Sequence, residues 1–453
     1  MFAAKSTLDT HGQTTGQASH GYTIGVFFIC FMFSYIDRQI VSILVQPLKQ
    51  TLVLSDAQIG LLQGFAFTIC YATTGVFVAR MVDRSNRVRL SAACVALWAI
   101  STAMCGTAHS FGELLFWRAG TAIAEAALSP AALSIFSDLF PPRKVSRASS
   151  IFMLGPYAGG GVALLGGGLL LDWLGQPSNR IWQIQMALQP WQVAFFIVGL
   201  PGILLAAVVL LTVREPRRIE SHHHPDGDTP AAATTDAPTL AEVLRELFVR
   251  NAFCLPYFAA YVALILLFYA HSAWFPTLLI RHFGLTASTV GRYAGPAYMV
   301  GGIAGVISAG FLVRKASDQH ALSKSLSTAS KAACLLVPLA LAAPLVPSFT
   351  MAVLLYGACA YAASIVMALA PIPLQVAIPN RMRGRSIALL VFLTNAISGG
   401  LGPFAVGYLN QSFHTLDNSL GVALTIVGAT AAIASSLLYG MASRRVAAAR
   451  QSA

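Results

Sequence analysis

Twelve apolar stretches, each about as long as a bilayer is thick, leave this chain few ways to fold. In hydrocarbon every backbone N–H and C=O must be satisfied within the protein, so a spanning segment is either a helix or a strand of a closed barrel. A barrel strand needs only about ten residues, whereas these stretches suit helices of about twenty or more. They fall at roughly 21–45, 58–80, 89–109, 111–139, 148–171, 191–213, 253–279, 290–313, 326–346, 349–377, 386–410 and 419–441. Only 10% of the residues are charged and mean hydropathy is +0.68, against about 25% charged in a soluble domain. The expected fold is all-α and integral to a membrane, with twelve transmembrane helices in two six-helix bundles.

The net charge of +12 would suggest nucleic acid in a soluble protein. Here topology explains it, and no nucleic-acid partner is expected. With the N-terminus placed in the cytoplasm, 23 of the 29 lysines and arginines fall in cytoplasmic segments. Lys49, Arg180, Arg281 and Arg292 fall outside, and Arg38 and Arg118 within the membrane. The positive-inside rule then puts both termini in the cytoplasm and supports an even number of spans. The expected location is a bacterial inner (plasma) membrane. The seven cysteines lie inside apolar runs without metal or redox spacing and read as packing residues.

The polar segment 214–252 divides the chain into a bundle at 21–213 and a second at 253–444. It begins with charge, becomes rich in Pro, Ala and Thr, and ends in an amphipathic helix near Leu240–Phe248, as a cytoplasmic linker would. His222, His223 and His224 lie in it without a second ligand cluster, so no metal or cofactor is expected. Residues 1–20 and 445–453 are expected to be cytoplasmic tails, the first of them disordered.

Charge at membrane depth is costly and marks a functional site by default. It occurs here at four positions. Arg118 and Glu125 lie seven residues apart on one face of the run 111–140. Asp37 and Arg38 lie slightly outward of the centre of the first span. The two pairs could meet in one cavity at similar depth. Desolvation favours the protonated form of a carboxylate and a neighbouring guanidinium favours the ionised form, so Glu125 is the candidate proton carrier. Arg38 is its alternating partner or a contact for an anionic substrate, and Asp37 would set the position and charge of Arg38. Arg118 is a second anion contact or a structural partner of Glu125. The alternative is a buried network that only fixes helix packing. The second half carries no comparable charge, so its expected contribution is shape, through Tyr269, Trp274, Phe275 and Asn395, with His271 as a packing residue.

The two halves echo each other, with basic loops in register after spans 2 and 8 and after spans 4 and 10. The loop ARMVDRSNRVR resembles the loop between spans 2 and 3 of the major facilitator superfamily, with Ala79 and Asn86 where the family has glycines. The resemblance implies a conformational latch at Asp83, Arg84 and Arg87. Within that family the chain looks most like the spinster-like branch. The residues that carry this are Tyr35-Ile-Asp37-Arg38, Arg118 with Glu125, Trp274-Phe-Pro276 through Gly284, and Asn395 through Gly402-Pro403. Gly155-Pro156 and Gly159 resemble a span-5 motif that the family associates with antiporters. With Gly402 and Pro403 in span 11 they suggest symmetric hinges.

These features lead to a secondary transporter working by alternating access, monomeric and coupled to protons. Its substrate would be a small organic anion or an amphipathic, lipid-like anion, since the walls around the arginines read as apolar. A proton-antiport exporter of drugs or lysolipids is the rival within transport, and symport and antiport stay open. A non-transporting receptor is the rival of another class. An enzyme is not expected: the chain shows no catalytic Ser or Cys motif, no HExxH and no Walker-type GxxxxGK[ST].

Overall fold

The structure is a computed structural model that describes residues 10–176, 179, 188–218, 239–313 and 318–451. Its twelve long apolar helices are α1 His20–Leu52, α2 Asp56–Arg84, α3 Arg87–Cys105, α4 Phe111–Leu139, α5 Arg147–Gly175 and α6 Pro190–Thr212. After the linker come α7 Cys254–Phe283, α8 Ala287–Val313, α9 His320–Ala342, α10 Phe349–Ala377, α11 Asn380–Ser412 and α12 Ser419–Ala449. These match the expected spans in number and place. The fold is the expected pair of six-helix bundles, and the protein is a multi-pass integral membrane protein. The bundles meet where α5 packs on α8, α2 on α11 and α1 on α7.

Helix extends beyond the apolar spans at both ends. The first helix begins at Thr10, well inside the segment expected to be disordered. Extending an existing helix fixes few dihedrals per hydrogen bond gained, so polar residues can propagate it once the apolar span has nucleated it. At the other end helix continues to Gln451, through most of the expected tail. The linker helix forms at Leu240–Arg245 and continues as a wide turn over Glu246–Arg250. Thr239 caps it, accepting from the Glu242 backbone N–H while its own N–H donates to the Glu242 carboxylate. Val243 and Leu247 are buried, and Phe248 meets Phe258 of α7 edge to face. The three linker histidines lie outside the described residues.

Several spans are broken, mostly at proline. Proline lacks an N–H and crowds the carbonyl four residues back. Pro130 thus opens α4 at residues 126–127, directly after Glu125. In α5 the helix is interrupted at 153–154, just before Gly155-Pro156. The corresponding spans of the second half break too, α10 at Ala370 and α11 as a wide turn over Thr394–Gly399 ahead of Pro403. In α2 the break is at Gly64, where an added Cβ would lie 2.5 Å from the Gly400 carbonyl oxygen of α11.

Candidate functional site

Four residues of α1 place the site. Tyr35, Asp37, Arg38 and Gln39 point in successive directions around the helix at about 100° per residue, and each finds a different neighbour. Arg38 turns to α4. Its Nε and Nη2 both lie 2.7 Å from Glu125 Oε2, and the Glu125 side chain is fully buried. Three rings surround the guanidinium: Phe67 at 4.3 Å, Tyr71 at 4.7 Å and Tyr35 at 5.1 Å from Cζ to centroid. Such contacts strengthen when desolvated. Arg118 also approaches this ring, its Cζ 5.3 Å from the Phe67 centroid, so one phenyl ring lies against both guanidinium groups.

Asp37 does not set Arg38 as expected. It turns to α3, where its Oδ2 accepts from Thr102 at 3.0 Å, and its Oδ1 has no hydrogen-bond partner. The cause is helical geometry, because adjacent residues diverge by about 100°. Arg118 does not pair with Glu125 either. Its Nη1 donates to the main-chain oxygen of Asp37 at 3.0 Å, and its Nε has no partner. Both expected roles of a stabilising pair therefore fall to Arg38 and Glu125 alone. Arg118 is a buried guanidinium held by one backbone carbonyl.

Arg38 and Arg118 line a central cavity with Tyr35, Gln39, Phe67 and Tyr269, between α1, α2, α4 and α7, with Pro403 of α11 at its edge. The free space is about 50 Å³, where a ligand pocket is typically about 300–1,000 Å³. The cavity here is contracted, with room for water but not for an organic ion. Tyr269 donates to Asn395 Oδ1 at 3.3 Å, which brings the wide turn of α11 to the cavity rim. Nine of the 13 lining residues carry a polar group, although the wall surface they present is largely apolar.

Trp274 and Phe275, expected at the cavity, stand inside the second bundle instead. Trp274 is fully buried and donates from Nε1 to Pro403 O at 2.8 Å. Phe275 stacks on Tyr356 at 4.5 Å, with His271 on its other side. A residue in a wholly apolar span carries little sign of which face turns inward, so the sequence could not separate these two from Tyr269.

The expected latch divides. Arg87 is buried and ties three segments together: it donates to Asp138 Oδ2 at 2.5 Å, to Glu215 Oε1 at 2.7 Å and to the Ser134 hydroxyl at 2.9 Å. Asp83 and Arg84 are exposed, with no ion pair among the described residues. Of the expected hinge residues, Gly155 and Gly159 press on α1, where an added Cβ at Gly159 would lie 2.2 Å from Met32 O. Pro156 follows the break in α5, Gly402 abuts the Leu266 carbonyl of α7, and Pro403 accepts the Trp274 bond.

Sequence reasoning missed the contacts that join the two bundles. Gln39 donates to Ser272 O and accepts from the Ser272 hydroxyl, each at 2.6 Å. Thr277 donates to Ser42 O at 3.0 Å. At the far end of α1, Asp56 receives Arg281 at 2.8 Å, Lys49 at 3.0 Å and Asn410 at 2.7 Å. Phe67 and Tyr71, four apart on α2, are the one signal that could have been read in advance.

The family model of the Major Facilitator Superfamily matches residues 27–403. An MFS-type efflux pump of Mycolicibacterium smegmatis is 28% identical over 98% of both chains. A galacturonate transporter of Dickeya chrysanthemi is 27% identical over 43% of this chain and 52% of that protein. Among solved structures, a bacterial homologue of the human lysosomal transporter spinster, inward-facing and unoccupied, superposes with a TM-score of 0.77 at 27% identity, covering 94% of this chain and 97% of that one. With twelve spans in two bundles, a buried ion pair deep in the first and a family match over most of its length, the chain belongs to the Major Facilitator Superfamily and is a transporter most like the spinster-like branch.

Proposed function

We propose that this transporter couples a small organic anion to protons by alternating access, through the Arg38–Glu125 pair. The observation that carries the reading is that pair: a cation at the cavity wall whose ion partner is a fully buried, titratable carboxylate at 2.7 Å. Deprotonated Glu125 neutralises Arg38 and competes with any anion for it. Protonation removes the competitor and leaves the guanidinium open to a substrate carboxylate. Proton and anion then bind together, as in symport. Asp37, with one oxygen unpartnered, is a second carboxyl able to hold a proton behind the site. The galacturonate transporter among the relatives is in keeping with an organic anion.

Taking the basic ends of the helices as cytoplasmic, the cross-bundle contacts Gln39–Ser272, Ser42–Thr277 and Asp56–Arg281 lie toward the outside. On this reading the arrangement is inward-facing, and the protein works as a monomer in a plasma membrane. Export is the second reading, favoured by the efflux pump that aligns over nearly the whole chain.

The test is uptake of labelled organic anions, galacturonate among them, into proteoliposomes under an imposed pH gradient. The reading expects gradient-driven accumulation that Glu125→Gln abolishes, while exchange of internal for external anion persists. Accumulation that follows the gradient equally in Glu125→Gln would overturn it. Accumulation driven only by an opposed gradient would replace symport with antiport.

A further inference from the structure

We infer that the occupant of the central cavity is a polyhydroxylated carboxylate, of the size and polarity of a sugar acid, and not an amphipathic anion. The inference rests on the anion-transport reading and narrows it. Its basis is the hydrogen-bonding inventory of the cavity wall. Two buried donors there have no partner, Gln63 Nε2 from α2 and Arg118 Nε from α4. An unmade hydrogen bond at a buried polar group costs about 1–3 kcal/mol. A buried polar group without a protein partner calls for one from outside the chain, such as a ligand, an ion or a water.

A second set is satisfied only in this contracted state. The Gln39 amide and the Ser272 hydroxyl line the same cavity and bond to each other across the bundle interface. Opening the cavity between α1 and α7, as the outward-facing state of the cycle requires, parts this pair and orphans both groups. The ligand must then supply replacements on both sides. One carboxylate can answer Arg118. It cannot also reach Gln63, Gln39 and Ser272, which project from α2, α1 and α7. Several oxygens spread along a short chain or ring can. An alkyl tail would leave all three amide and hydroxyl groups unpaired. Sites built to bond hydroxyls reject analogues that lack them for this reason.

The experiment is equilibrium binding to the purified full-length protein in detergent, by calorimetry at one pH, with four matched probes. Gluconate has a carboxylate and five hydroxyls, hexanoate the carboxylate alone, sorbitol the hydroxyls alone, and dodecanoate a carboxylate with a long tail. Gluconate is expected to bind at least about tenfold tighter than each of the others. Gln63→Leu and, separately, Ser272→Ala should each weaken gluconate about tenfold (about 1.4 kcal/mol) and leave hexanoate unchanged. Hexanoate or dodecanoate binding as tightly as gluconate overturns the inference. So does weakening of gluconate and hexanoate by the same factor, or a lack of gluconate binding in the folded wild type. No pH gradient enters the measurement, so its failure leaves the proton-coupling reading standing, and failure of that reading leaves this result interpretable.

Discussion

Arg38 and Arg118 have the same side chain, similar depth and the Phe67 ring in common, yet they do different work. Arg38 has a carboxylate and three rings; Arg118 has one backbone carbonyl. Lysine keeps the charge but has neither the planar fork that puts two nitrogens on one oxygen nor the flat face that lies on a ring. Arg38→Lys is therefore expected to lower gradient-driven uptake at least about tenfold while the protein still purifies as a folded species; uptake within twofold of wild type would contradict the account. Arg87 is a different case. It is almost wholly buried and holds two carboxylates, and removing one partner of a buried pair costs about 3–5 kcal/mol. Arg87→Ala should lower the apparent melting temperature in detergent by several degrees, whereas Asp83→Asn, at an exposed position, should leave it unchanged. A thermal scan of the two variants decides this. The charged residues were legible in the sequence because charge inside apolar runs is conspicuous. Their partners were not, since Thr102, Ser134 and Glu215 carry no such mark and meet their charges only through tertiary packing.

At the scale of the element, the proline-linked breaks matter most. Glu125 ends a helical segment because Pro130 follows five residues later, so the proposed proton carrier sits where the backbone of α4 is interrupted. The bundle interface depends on small residues. An added Cβ at Gly291 of α8 would lie 2.2 Å from Leu164 O of α5, and one at Gly168 would lie 2.4 Å from Ala287 O. Backbone cannot give way as a flexible side chain can. Gly291→Val should therefore force α5 and α8 apart and bias the protein away from the contracted state, with transport reduced about tenfold and crosslinking between α5 and α8 cysteine probes lost. Retained crosslinking would show that the close approach is dispensable. The spans themselves were readable from apolar run length, and most of their breaks from proline. Helix facing was not, which is why Trp274 and Phe275 were expected at the cavity and lie behind it.

At the scale of the molecule, the two bundles touch along the half that ends in the Asp56 cluster. Asp56 is the meeting point of Lys49, Arg281 and Asn410, and Asn410 in turn accepts from Ser419. Asp56→Asn removes the charge that holds this end shut, and loss of about 1 kcal/mol shifts a two-state population about fivefold. A cysteine probe at Ser42, just inside the seal, should then react several-fold faster with a membrane-impermeant thiol reagent applied from that end; an unchanged rate would mean the cluster is not the seal. The two-bundle plan was legible from the repeat of basic loops. The seal was not, because it joins residues more than 200 positions apart. The central claim is that Glu125 takes up and gives back a proton beside Arg38. Infrared difference spectroscopy of the purified protein between acidic and neutral pH reads this most directly. The account predicts a carboxyl carbonyl band that appears on acidification, vanishes in Glu125→Gln and survives in Asp37→Asn. A spectrum whose carbonyl change is the same in wild type and Glu125→Gln would contradict it.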